Sequence, residues 1–293
     1  MNCIEQVVTD RYALYHGDSV EVLRGLPDHS IGYSIFSPPF QGLYVYSNSP
    51  RDMGNVRNDA EFFEHFDFLI AELRRVVKPG RNVSFHCMDM PSSKERDGVI
   101  GLKDFPGDLL RAFQRHGFIF HSRVVIWKDP VTAMQRTKAL GLLHKSVREN
   151  AAMCRQGIPD YLITVRAPGE CERVTHGAEY PVDLWQKVAS PVWMDINPSD
   201  TLQYMSAREH DDERHIAPLQ LEVIRRGVML WTNPDDIVLS PFGGIGSEPY
   251  VAVEMGRRAV AVELKASYFR QMVANVAAAQ AKTADLFASA EAA

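Results

Sequence analysis

The residues best suited to chemistry in this 293-residue chain are Ser37-Pro38-Pro39-Phe40. They follow an apolar run, Ile31 to Phe36, that reads as a buried strand. Two consecutive prolines forbid both a helix and a continued ladder, so the chain leaves the sheet there in a stiff, extended turn. Such a turn holds three groups at a strand's C-terminal end: a hydroxyl, carbonyls that no ladder partner uses, and an aromatic face. A planar base carrying an exocyclic amine asks for that set, with acceptors for its NH2 and a stacking surface for its ring. The same four residues also read as a plain Pro-Pro turn with a core phenylalanine.

A second segment supplies a binding loop. Asp236 to Ser240 reads as a strand, and Pro241-Phe242-Gly243-Gly244-Ile245-Gly246-Ser247 follows it. A helix-like stretch from Glu248 to Met255 is stopped by Gly256, and Arg258 to Glu263 reads as another strand. This is a βαβ unit with glycines at its first turn, where they permit φ > 0 and a close backbone approach to a ligand. An acidic residue roughly 20 residues past such a loop is placed to hold ribose hydroxyls, and Glu263 occupies that place. The loop lacks the G-x-G-x-x-G spacing of a dinucleotide site and the Lys-Ser/Thr of a P-loop. A tight turn in an ordinary α/β domain is its plainer reading.

Together the two segments resemble the S-adenosylmethionine-dependent DNA amino-methyltransferases. That family carries an Asp/Ser-Pro-Pro-Tyr/Phe catalytic motif and a Phe-x-Gly-x-Gly cofactor motif. Here the catalytic motif comes first and the cofactor motif last, the order of the family's β group. Tyr15-His16-Gly17-Asp18-Ser19, then Leu23 and Leu26-Pro27-Asp28, lead into Ser37 with the family's spacing. Glu213-Arg214-His215-Ile216-Ala217-Pro218 resembles the family segment ahead of the cofactor loop. The resemblance covers most of residues 12–166 and 213–275.

The resemblance implies an α/β fold: the seven-stranded, mostly parallel class I methyltransferase (Rossmann-like) sheet, with one antiparallel strand, helices on both faces and a circularly permuted motif order. Residues 1–166 would form the catalytic half, 167–212 a target-recognition segment, and 213–293 the cofactor half, the first and last building one sheet domain. Ser37 Oγ and the Pro38 carbonyl would accept hydrogen bonds from the target amine in the turn that Pro39 stiffens. Phe40 would stack on a base flipped out of double-stranded DNA. S-adenosylmethionine would rest on Ser240, Pro241, Phe242, Gly243, Gly244 and Gly246, with Glu263 on its ribose, Asp18 near its adenine amino group and His215 toward its carboxylate. No metal is implied. Two positions depart from the family pattern: Ser240 stands where members usually have Asp, and Phe40 where Tyr is frequent. Ser rather than Asp at position 37 favours cytosine N4 over adenine N6. An RNA or protein methyltransferase on the same fold, a DNA-binding relative without catalysis, and a nicotinamide-dependent oxidoreductase are the rival readings; loop spacing opposes the last.

The formal net charge of −5 does not advertise a DNA binder, but its distribution is uneven. Between Arg111 and Arg166 stand Arg111, Arg115, Arg123, Lys128, Arg136, Lys138, Lys145, Arg148, Arg155 and Arg166, opposed only by Asp129, Glu149 and Asp160. Such a local excess suits phosphate neutralisation, or equally a solvated helix face. Residues 41–60 read as a loop over the catalytic turn, with Tyr44 and Tyr46 available to stack. Base reading is expected from 167–212, helped by 41–60 and 128–160. His16, His86 and His144 read as structural. Cys3, Cys87, Cys154 and Cys171 form no C-x-x-C pair, which fits a reducing, cytoplasmic setting. No apolar run is long enough to span a membrane, and the N-terminus has no signal-peptide pattern. Double-stranded DNA is the expected partner; a separate restriction endonuclease chain and a homodimer remain open.

Overall fold

Periodicity marks the elements that place these residues. Phe62, Phe66, Leu69, Ile70, Leu73 and Val76 repeat at helical spacing and are all fully buried, so α2 (Asp59–Val76) lays one apolar stripe on the sheet. The computed structural model describes residues 2–39, 59–92, 94–137, 143–177, 180–203 and 218–291. Before α2 come β1 (Glu5–Val8), β2 (Tyr12–His16), α1 (Ser19–Arg24) and β3 (Ile31–Phe36). After it come β4 (Val77–Cys87), a small hairpin of β5 (Met90–Ser92) and β6 (Gly101–Lys103) around α3 (Lys94–Asp97), α4 (Phe105–Arg115) and β7 (Ile119–Ile126). Next are α5 (Pro130–Thr137), α6 (His144–Asn150), β8 (Asp160–Arg166), α7 (Val182–Ala189) and β9 (Val192–Trp193). The chain closes with α8 (Leu221–Trp231), β10 (Ile237–Ser240), α9 (Ser247–Glu254), β11 (Arg258–Glu263) and α10 (Ala266–Glu291).

The main sheet has nine strands in the order β1-β2-β11-β10-β3-β4-β8-β7-β9, where the sequence leads one to expect seven. Those seven are the inner strands of that order, from β2 through to β7, with β8 antiparallel to both its neighbours. The additions are at the edges. β1 folds back antiparallel on β2, and β9 pairs parallel with β7 through only two residues. Neither carries a sequence signal: Glu5-Gln6-Val7-Val8 is largely exposed, and two residues are too few to display a period.

Two apolar layers sandwich the sheet. On one face α1, α2 and α4 bury Leu23, Phe62, Phe66, Phe113 and their neighbours against Phe36, Phe85 and Ile163. Phe85 stacks on Phe113 with ring centroids 4.9 Å apart. On the other face α8, α9 and α10 cover Tyr33, Ile35, Val238 and Ala261 with Ile224, Val251 and Phe269. Each such side chain contributes about 1.5–3 kcal/mol of transfer free energy. Among the described residues no helix is long and apolar enough to cross a membrane.

Strands β2, β11, β10, β3 and β4 all run the same way, so their C-terminal ends share one edge. The reversed β8 brings its first residue, Asp160, to that edge and carries Arg166 to the opposite one. Residues 167–177, which follow β8, stay on the opposite edge. There Ala167 N–H donates to the Arg81 carbonyl, and the Thr175 N–H and the Arg173 carbonyl bond the side chain of Asn233, just ahead of β10.

Candidate active site

The side chains read from sequence as a site stand at neighbouring strand ends. Asp18 follows β2, Glu263 ends β11, Ser240 to Gly246 leave β10, and Ser37 leaves β3. The register holds them level: Glu263 lies opposite His16, Ser240 opposite Ala261, and Leu239 opposite Ser34. This is the edge where open α/β sheets take their ligands.

The glycine loop is shaped by contact behind and space in front. Gly246 caps α9 in the left-handed region (φ 93°), and a Cβ there would meet Met272 Cγ at 2.9 Å and its Cα at 3.2 Å. Gly244 (φ 52°) has no atom of the described residues within 4 Å of a would-be Cβ, so among them this side of the loop is open. The Glu263 carboxylate is held in place by backbone donors: Gly244 N–H reaches one oxygen and Lys265 N–H the other, both at 2.8 Å. Asp18 caps α1 by accepting from Glu21 N–H at 3.1 Å. The Ser19 hydroxyl donates to the Pro241 carbonyl, tying α1 to the loop, and Phe242 packs against Phe36. Ser240 Oγ is buried without a hydrogen-bond partner among the described residues. A buried acid follows the loop: Glu248, in the first turn of α9, is pushed up to about 8 by burial, and the neighbouring Glu263 charge acts the same way. An open glycine loop, an unpartnered buried hydroxyl and a fixed carboxylate fit a nucleoside joined to a polar tail, as S-adenosylmethionine is.

The Ser37 turn behaves as its prolines dictate. β3 ends at Phe36; Ser37 is part-buried, and Pro38 and Pro39 are buried outside the ladder. Phe40, Tyr44, Tyr46 and His215 lie outside the described residues.

His86, read from sequence as structural, stands beside Ser37. Phe36 pairs with Phe85, so His86 is on the neighbouring strand next to the turn, with its Nδ1 3.1 Å from Ser37 Oγ. Its Nε2 is 3.2 Å from Asp160 Oδ2, within ion-pair reach though off the line of a well-directed N–H···O bond. Asp160 Oδ1 accepts from Lys128 Nζ at 2.5 Å. Burial pushes the Asp160 carboxyl up, but His86 and Lys128 together outweigh it and hold the carboxyl below the ordinary range. Ser37, His86, Asp160 and Lys128 thus form one polar line across the ends of β3, β4, β8 and β7. Motif reading had no handle on it. The available signal was that Lys128 and Asp160 each abut an apolar strand end.

The candidate recognition segment divides. Residues 167–177 follow the far edge, while β9 returns the chain to the site edge beside β7. There Arg226 of α8 is 2 % exposed, lies 4.8 Å over the Trp193 ring, and bonds Asp195 Oδ2 at 2.7 Å and Glu222 Oε1 at 3.0 Å. That arginine draws the Asp195 carboxyl down to about 2. The stretch between β7 and β8 also leaves and rejoins the sheet at the site edge. It holds Lys128, Arg136, Lys138, Lys145, Arg148 and Arg155 against Asp129 and Glu149. Its α6 buries no residue at all.

Residues 34–274 match the N6/N4 methyltransferase family, described as a DNA methylase. The chain belongs to that family. It is 24% identical over 260 residues to the type II methyltransferase M.BglII of Bacillus subtilis, covering 87% of this chain and 66% of that protein's length. Two solved structures share the fold. The Thermus thermophilus protein TTHA0409, in complex with S-adenosyl-L-methionine, superposes with a TM-score of 0.67 at 22% identity, covering 92% of this chain and 96% of that one. The cytosine-N4-specific PvuII DNA methyltransferase superposes with a TM-score of 0.65 at 18% identity, covering 94% and 90%.

Proposed function

We infer that this protein methylates the N4 amine of cytosine in double-stranded DNA, with S-adenosylmethionine as methyl donor. The observation that carries the reading is Ser37: a neutral hydroxyl at the strand end, hydrogen-bonded to a histidine, where a carboxylate would suit adenine N6. The PvuII enzyme, whose name gives cytosine N4 as its target, shares the fold.

An exocyclic amine is a weak nucleophile because its lone pair is delocalised into the ring. Acceptors at both its protons favour a pyramidal nitrogen whose lone pair is localised. Ser37 Oγ and the Pro38 carbonyl are the acceptors, and Phe40 stacks on the base that has left the duplex. When bound, S-adenosylmethionine supplies a methyl group made electrophilic by its sulfonium. Glu263 takes the ribose hydroxyls, the loop from Ser240 to Gly246 passes along the methionine part, Asp18 faces the adenine edge and His215 the carboxylate. The rest is alignment in a dry site rather than strong base chemistry.

The DNA face is the site edge. The basic stretch 136–155 neutralises phosphates there. Residues 167–203 hold Arg173 and Lys187 against Glu170, Glu172, Glu179, Asp183, Asp195 and Asp200, the wrong balance for that task. Base reading then falls to 128–159 and to the chain leaving β9, with 167–177 serving as a brace on the far edge.

Nucleoside mass spectrometry on DNA from cells expressing the wild type and a Ser37→Ala, Phe40→Ala double variant tests the assignment. N4-methylcytosine present only with the wild type is the expected result. N6-methyladenine in its place would move the same machinery to adenine, and no methylated base would overturn the reading.

A further inference from the structure

A neutral serine can accept a hydrogen bond from an amine but cannot keep a proton. The amine of a methylated base carries one proton too many once its new N–C bond has formed, so a serine-based site needs a base elsewhere. His86 is placed to be it. Its ring is 8 % exposed, with Ser37 Oγ at one nitrogen and Asp160 at the other. Two residues deeper on the same sheet face, Ser84 and Thr164 satisfy each other at 2.8 Å and make no claim on the imidazole.

We propose that His86, backed by Asp160 and Lys128, is the positioning residue that takes the amine proton through Ser37. This rests on the amino-methylation reading given above. As the amine nitrogen bonds the methyl carbon and the C–S bond breaks, an N–H proton passes to Ser37 Oγ. The serine's own proton passes to His86 Nδ1 in the same movement. Serine ends neutral, and the imidazolium faces the Asp160 carboxylate until product leaves and the proton returns to solvent. No further reagent is required. The arrangement demands the neutral tautomer with its proton on Nε2 and a bare Nδ1 toward the serine hydroxyl. Lys128, bonded to the far oxygen of Asp160, keeps that carboxylate ionised.

Two measurements test this, one of them independent of activity. In 15N-histidine NMR of the free protein, the signal removed by His86→Gln should report an unprotonated Nδ1 and a protonated Nε2 whose resonance shifts in Asp160→Asn. A proton on Nδ1 would overturn the proposal whatever the enzyme methylates. In single-turnover assays, His86→Gln should slow methyl transfer by about 100-fold or more, with DNA and S-adenosylmethionine affinities within about threefold of wild type. Placing Ser37→Asp beneath it should shrink the His86→Gln penalty to a few-fold, because a carboxylate accepts the proton directly. An equal penalty in both backgrounds would mean that His86 only supports the fold. Wild-type protein with the required tautomer but no methylated DNA would refute the reaction rather than the relay's geometry.

Discussion

Glu248→Gln should stabilise the cofactor-free protein at alkaline pH and leave it nearly unchanged in acid. The side chain is buried in the first turn of α9, and its carboxyl is pushed up to about 8 from an unfolded value near 4.5, burial being the larger cause and the Glu263 charge the lesser. For an acid raised in the folded state, the native protein binds more protons than the unfolded chain throughout that window. Stability from this group is therefore complete below about pH 4.5 and declines as pH rises through about 8. At roughly 1.4 kcal/mol per unit the loss approaches about 4 kcal/mol near pH 8, a ceiling that local relaxation lowers. Glutamine keeps the neutral shape and cannot ionise. Urea unfolding of both proteins at pH 5, 6, 7 and 8, without added cofactor, measures the difference directly. The two midpoints should diverge steadily above pH 5, with glutamine the more stable. Parallel curves would mean that Glu248 is ionised and solvated in the native protein, and the account of its burial would be wrong.

Three further outcomes are expected. Gly246→Ala forces a left-handed residue against Met272 at a strain of about 1–3 kcal/mol, so calorimetry should find S-adenosylmethionine binding weakened at least tenfold while duplex binding persists; unaltered cofactor affinity would refute the packing argument. Removing Lys145, Arg148 and Arg155 together should flatten the dependence of log K on log salt for duplex binding by roughly 0.9 for each phosphate no longer neutralised. An unchanged slope would place the phosphate surface elsewhere. Arg226→Leu should cost about 2 kcal/mol in a denaturant titration by removing the cation over Trp193 and one of the two cations on Asp195, a figure discounted because Asp195 is nearly half exposed and keeps Lys187. The Asp195 contribution is present above about pH 4 and fades as pH falls toward 2, so the wild-type advantage should narrow in acid.

The turns were legible because they interrupt strands in ways only a few residues can. Two prolines after Phe36 and three glycines after Ser240 announce strand ends, and the glycines sit at the crowded or left-handed positions that require them. Most of the inner strands were visible as apolar runs, whereas the edge strands β1 and β9 were not. What sequence reading could not supply was adjacency. His86 is one polar residue in the run Asn82–Cys87, and its meaning depends on a register with β3 and on a reversed strand that brings Asp160 from far along the chain. The same reversal decides that 167–177 lies away from the site, although those residues follow β8 directly. Charge pairing was equally hidden: Lys128 counts toward a basic stretch in the sequence but is spent on Asp160 in the fold. The expectations for Phe40 and His215 fall outside the described residues.

The permuted order has a consequence for how the protein is made. β11 is the last strand of this sheet in chain order, yet it slots between β10 and β2, pairing Tyr12 with Ala259 across more than 240 residues. Until it emerges from the ribosome, β2 offers an open edge, and until β10 emerges shortly before it, β3 lacks the strand that will flank it opposite β4. Contacts of such range form slowly, and uncovered apolar strands invite pairing with the wrong chain. Asp18 and Ser37 are made early, while the glycine loop and Glu263 arrive late. A nascent chain can therefore hold the Ser37 turn well before its strand-end edge is complete, and that edge closes only when β11 is threaded between β10 and β2.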